Sequence, residues 1–166
     1  MEKGILNINI KSVFCGLVLS QFLMGVALCD DKISIGIGVG APYSGLGVNI
    51  ALITDRDFKY VAVGCLAHYD GDGGKSGNAC GAGVGWLRSD WIATDSTKHA
   101  LGIYLGPVTS RRYKEEIRTE YGAGITYAYF LSGIEKPGLH LGLTPALYRD
   151  KGDTKGSIAL HLGYQF

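Results

Sequence analysis

The chain has 166 residues and a net charge of +1, enough for one domain with a real core and without the charge excess that draws nucleic acid. Glycine is the outlier: 26 residues against only four prolines, with no collagen period. The glycines instead alternate, as Gly36, Gly38 and Gly40, as Gly81, Gly83 and Gly85, and as Gly122 and Gly124. Repeated glycine on one face of a strand marks a face that meets a crowded space.

Lys3 and Lys11 precede an apolar run from Val13 to Leu28, with small residues at Ala27 and Cys29. Positive start, apolar middle and small-residue end predict a secretory signal peptide over 1–29 and a mature domain over 30–166. Retention of the run as a membrane anchor is the alternative, although it is short for a span of about 20 residues. Cys15 and Cys29 go with that segment, which leaves Cys65 and Cys80 as an even pair.

The rest reads as strands. Lys32 to Gly40 alternates Ile33, Ile35, Ile37 and Val39 with Ser34 and glycines; Ala41 to Gly45 is a turn. Leu46 to Thr54 is the second strand. Phe58 to Tyr69 is the third, with Val61, Val63, Cys65 and Ala67 assigned to its apolar side. Asp70 to Ala79 reads as a long polar loop and Cys80 to Leu87 as the fourth strand. Arg88 to Lys98 is a turn, His99 to Val108 the fifth strand, Thr109 to Arg118 a charged loop and Glu120 to Leu131 the sixth strand. Ser132 to Gly138 is a turn, Leu139 to Tyr148 the seventh strand and Arg149 to Gly156 the last loop. Ser157 to Phe166 is the eighth strand, with Ile158, Leu160, Leu162, Tyr164 and Phe166 on one face.

Eight strands of about nine to eleven residues match what a tilted strand needs to cross a bilayer. In a water-soluble barrel the face opposite the apolar one carries charge. Here it carries glycine, alanine, serine and threonine, which suits an inside-out barrel in lipid. The expected fold is therefore all-β, an eight-stranded antiparallel up-and-down transmembrane β-barrel preceded by a signal peptide. Its interior is just wide enough for side chains. Tyr104, Tyr148, His140 and His161 are the expected inward fillers, and Trp86, Tyr121, Tyr127, Tyr129, Tyr164 and Phe166 the expected interface aromatics.

On strand count, facing and the I-x-L-x-L-x-Y-x-F of residues 158–166, the chain resembles the small outer-membrane barrels of Gram-negative bacteria, such as the OmpA transmembrane domain, OmpX and the opacity-type proteins. The resemblance covers about residues 32–166. It implies an outer-membrane location with both termini in the periplasm and a monomer in contact with outer-membrane lipid and lipopolysaccharide. It also implies that the barrel-assembly machinery reads Tyr164 and Phe166. The implied role is structural or surface-interacting, without a wide pore. A lipid A-modifying barrel enzyme and a soluble lipocalin-like ligand-binding barrel are the alternatives.

His140 and His161 fall on adjacent strands and become diagonal neighbours if the last hairpin centres near Lys151 and Gly152. A histidine beside Ser or Thr can begin a hydrolase site, but no carboxylate partner accompanies them, so no catalytic residue is assigned. Asp70-Gly-Asp72-Gly-Gly lacks the later acidic ligand of a calcium loop, and no helix follows Gly36-x-Gly38-x-Gly40 to make a dinucleotide site. No metal and no cofactor is expected. Cys65 and Cys80 oppose one another if their loop centres between Asp72 and Gly73, which allows a disulfide; two unbonded thiols are the other reading. Arg111, Arg112, Lys114, Arg149 and Lys151 give the last two outer loops a basic excess suited to lipopolysaccharide phosphates.

Overall fold

The computed structural model describes residues 32–71, 75–92, 96–113 and 116–166, with backbone alone at 68–71, 75–76, 112–113 and 116. The signal peptide expected over 1–29 lies outside the described residues, as do Asp72 and Lys114. The strands are β1 (Lys32–Gly40), β2 (Gly45–Ile53), β3 (Asp57–Gly71), β4 (Lys75–Arg88), β5 (His99–Tyr113), β6 (Glu116–Phe130), β7 (Gly138–Asp150) and β8 (Asp153–Gln165). They pair antiparallel in chain order and β8 closes on β1, so the sheet is a barrel. Lys32 and Phe166 lie at one rim, the terminal rim; the four hairpin connections lie toward the other, the hairpin rim.

Period two explains the facing. Ile33, Ile35, Ile37 and Val39 of β1 are exposed, and so are Leu139, Leu141, Leu143 and Leu147 of β7 and Ile158, Leu160 and Leu162 of β8. Their inward neighbours are buried: Ser34, Thr144, Ala146, His140 and His161. Near the terminal rim, Phe58, Tyr60, Leu87, Ala100, Ala128 and Phe130 fill the interior, with Ile134 from the turn after β6 joining them.

The stretches expected as loops over 70–79, 109–118 and 149–156 are mostly strand. β3 and β4, β5 and β6, and β7 and β8 stay in register almost to their tips. Polar composition shows that these arms are wet. It does not stop paired backbones from satisfying one another's N–H and C=O groups.

Two bulges re-aim these arms. The β3–β4 register slips between Cys65 and Ala67, and the β5–β6 register between Pro107 and Thr109. An extra residue in one strand reverses the facing beyond it. Cys65 and Cys80 stay exposed on the outward face, opposite one another. Ala67, expected outward, instead pairs with buried Ala79 on the inner side. Strict alternation cannot anticipate such a slip.

Cys65 and Cys80 are bonded, S–S 1.99 Å. The link, with a sequence separation of 15, closes the arm that contains the bulge. Replacing both cysteines by serine should leave the barrel folded but lower its unfolding free energy by about 3 kcal/mol, the chain-entropy value for such a loop. Urea titration of the detergent-folded protein followed by tryptophan fluorescence measures this; an unchanged midpoint would show that the link adds nothing.

β1 and β2 are the exception among the hairpins. Each has nine residues, and the chain between them turns back inside the barrel. β8 consequently pairs with β7 along its whole length but with β1 only at Leu162–Gln165. From Asp153 to His161, β8 is paired in register with β7 alone.

Candidate functional site: a plugged barrel with a charged rim

The turn after β1 carries the plug. Ala41–Tyr43 form one 3-10 turn, with Pro42 near its start, and Ser44 ends it in the left-handed region at φ 55°. Gly40 at φ 105° and Gly45 at φ 108° bracket the turn, and both backbones lie too close to neighbouring strands for a Cβ. Ala41, Pro42, Tyr43 and Ser44 are all buried. Tyr43 is fully enclosed, and its phenol lies against Gly38 and Gly163, a registered pair on β1 and β8. A Cβ at Gly163 would overlap the ring. The inner-face glycines make room for an aromatic ring delivered from a turn.

Polar groups fix the plug. The Tyr43 hydroxyl and His140 Nε2 share a hydrogen bond of 2.6 Å. Asn49 Nδ2 donates to the Pro42 carbonyl at 3.1 Å, and Gln165 Nε2 donates to Asn49 Oδ1 at 3.2 Å. The Tyr104 hydroxyl donates to the Pro107 carbonyl beside the second bulge, and Thr126 and Thr144 pair at 2.9 Å. His140 and His161 do meet as diagonal neighbours, opposite Gly163 and Gly142, with ring centroids 5.6 Å apart. Both are buried, and His140 also stacks on Phe130 and Tyr43. Among the described residues, His161 Nδ1 and Nε2 and His140 Nδ1 have no hydrogen-bond partner. Neither ring has a serine or carboxylate among the described residues hydrogen-bonded to it, and both rings pack against one another inside the wall.

The hairpin rim is charged. Asp150 is buried at the end of β7, and its two oxygens are taken by Arg111 of β5 and Lys155 of β8. Arg111, expected to face lipid headgroups, is thus engaged in an ion pair. Arg149 and Lys151 are exposed. The side chain of Arg112 and the whole of Lys114 lie outside the described residues.

Aromatics ring the terminal rim on the outward face. Trp86 Nε1 donates to Asp57 Oδ1 at 2.7 Å, while Lys59 and Arg88 approach the indole face and Trp91 lies 5.5 Å away, centroid to centroid. His99 Nδ1 and the Tyr127 hydroxyl are 2.7 Å apart, with Tyr129 beside them. Tyr164 and Phe166 meet edge to face at 4.9 Å. The Phe166 N–H donates to the Ile35 carbonyl, and Ser34 Oγ donates to the Phe166 carbonyl. Tyr121 is exposed nearer the hairpin rim. Rings with an apolar body and a polar edge are the side chains favoured where water meets hydrocarbon.

The residues that sequence reasoning missed are Tyr43, Asn49 and Asp150. The signal for Tyr43 is present in retrospect: a Pro-Tyr turn between two glycines, facing strands whose inner positions are also glycine. Among the described residues, no group of three or more His, Cys, Asp or Glu side chains could hold a metal, and no helix is long and apolar enough to cross a membrane, which says nothing about strands. Comparison with protein-family models, with curated proteins and with solved structures gave no match.

Tyr43→Phe leaves His140 Nε2 unpaired and should destabilise the barrel by about 1–3 kcal/mol in urea titration, the penalty for an orphaned buried polar group. Gly163→Ala should block folding, and adding Tyr43→Ala in the same chain should restore it. Rescue, scored by gel mobility of the unboiled protein, tests whether the glycine exists for the tyrosine; a Gly163→Ala chain that folds unaided would show that it does not.

Proposed function

We propose that this chain is a small integral outer-membrane β-barrel with a structural or surface-interaction role, no wide pore and no enzymatic activity. The observation that carries the reading is the inversion of its two faces. Large aliphatic residues stand exposed on every strand, among them Ile33 and Ile158, at 74% and 75% exposure, while Asn49, Thr126, Thr144, His140, His161 and Gln165 are buried. A water-soluble barrel with that outward face would aggregate. In a bilayer, the outward face meets hydrocarbon and closure satisfies the paired backbone groups. The plug and the aromatic cluster beneath it favour a role without conduction. The hairpin rim then faces the cell exterior and the terminal rim the periplasm, and the partners are outer-membrane lipid and lipopolysaccharide.

Fractionation with a comparison of boiled and unboiled samples on a denaturing gel tests this. Sedimentation with the outer membrane and a mobility shift on boiling are expected; a soluble protein without a shift would refute it. A single charge gives a second test. Leu143→Arg places a cation at mid-height on the outward face of β7 and should cost about 2–4 kcal/mol in folding from urea into lipid vesicles. In a protein whose outward face meets water, the same change would be close to neutral.

A further inference from the structure

The outward face is not uniformly smooth. A groove of about 810 Å³ crosses β6, β7 and β8, lined by Ala123 to Ile125, Pro145 to Leu147 and Gly156 to Ile158. Its origin is in the sequence. Pro145 has no N–H to give the ladder, and the β6–β7 backbone register is interrupted there: Gly124 pairs with Ala146 and Tyr127 with Leu143, and between them only the inward Thr126 and Thr144 hydroxyls join the two strands. Ala123, Pro145 and Gly156 are small or short outward residues, whereas Ile125, Leu147 and Ile158 stand up around them. The result is an almost wholly apolar trough within the exposed aliphatic belt.

What lies above the trough is not apolar. Along β7 the next outward residue after Leu147 is Arg149, which pairs in register with Thr154 of β8; on β6 the next residue of the same row after Ala123 is Tyr121, whose hydroxyl lies toward Gly81 of β4 and away from the trough. All three are exposed. Arg149 makes no ion pair among the described residues, and neither does Lys151, two positions further along the same hairpin. Of the other charged groups of this hairpin, Asp150 takes Lys155 and, from β5, Arg111, while Asp153 is an exposed carboxylate at the tip that makes no ion pair among the described residues.

We propose that this trough seats an acyl chain of lipopolysaccharide, with a lipid A phosphate on Arg149. The inference rests on the outer-membrane reading above, which puts the hairpin rim in the outer leaflet. An apolar trough capped by a planar cation beside the exposed Thr154 fits an amphiphile with an anionic head, because guanidinium forks bind phosphate bidentately. Two unpaired cations on one hairpin suit a headgroup with more than one phosphate better than a phospholipid with a single one.

The test uses the barrel folded in phosphatidylcholine nanodiscs doped with rough-type lipopolysaccharide or with phosphatidylglycerol, released in mild detergent and weighed by native mass spectrometry. Wild type should retain one lipopolysaccharide molecule and little phosphatidylglycerol. Arg149→Ala should lower retention about tenfold, as expected for one charge-assisted contact. Gly156→Leu should lower it comparably by filling the trough; a Cβ there meets only ordinary contacts, so the fold tolerates it. If Gly156→Leu nevertheless loses the boiling shift, Ala123→Leu fills the same trough from β6. Lys32→Ala, at the opposite rim, should change nothing. Equal retention by wild type and both variants, or phosphatidylglycerol held as tightly as lipopolysaccharide, would overturn the site. Wild type that is soluble and shows no boiling shift would overturn the outer-membrane reading itself, and the site with it.

Discussion

A phenol ring in the middle of the barrel sets the dimensions of what surrounds it. Tyr43 arrives on a one-turn insert and occupies the space that inward side chains of β1 and β8 would otherwise take, so Gly38 and Gly163 have none. Interiors are close-packed, and a ring of this volume leaves room for nothing larger than hydrogen at the positions it touches. The ring also explains the polar residues near it. A buried hydroxyl requires a partner, and His140 supplies one from β7, where it is registered with Gly163 of β8 beneath the ring. Asn49 does the same for the turn's backbone, and Gln165 in turn holds Asn49. One inserted residue thus accounts for glycines on two strands and a histidine on a third.

The fold class was legible because it depends on period two and on what occupies the second face, both local properties. Ile158 to Phe166 states the alternation without error, and the facing of β1, β2, β6 and β7 follows from the same count. The adjacency of His140 and His161 was legible too, because a symmetric two-residue turn fixes register along a whole hairpin. Ala67 was misplaced because a bulge leaves no mark in hydrophobicity; Leu66 is as apolar as its neighbours. The arms were misread as loops for a related reason: Arg111 and Lys155 are strand residues whose composition reports water and not backbone geometry.

The site residues were less legible because they depend on contacts between distant parts of the chain. Arg111 looked available in sequence, where its neighbours are further cations. In the fold it meets Asp150, 39 positions away, and Lys155 meets the same carboxylate from the adjacent strand. A carboxylate shared by two cations keeps one net positive charge while tying three strands together at the rim. Arg149 and Lys151, which look identical to Arg111 in composition, stay uncommitted because the facing of β7 and the turn after it point them elsewhere.

The short first hairpin also bears on how the barrel comes together. Thirteen residue pairs join β7 to β8, whereas four join β8 to β1. Those four link residues more than 120 positions apart, such as Gly36 and Gln165, so their loop-closure entropy is the largest in the molecule. The other contacts between neighbouring strands are hairpin-local. With the shortest register and the largest sequence separation of any two neighbouring strands, the seam is therefore expected to be the last part of the wall to zip and the first to part. Tyr43 straddles it, touching Gly38 on one bank and Gly163 on the other, so the plug also acts as the latch that holds the cylinder shut.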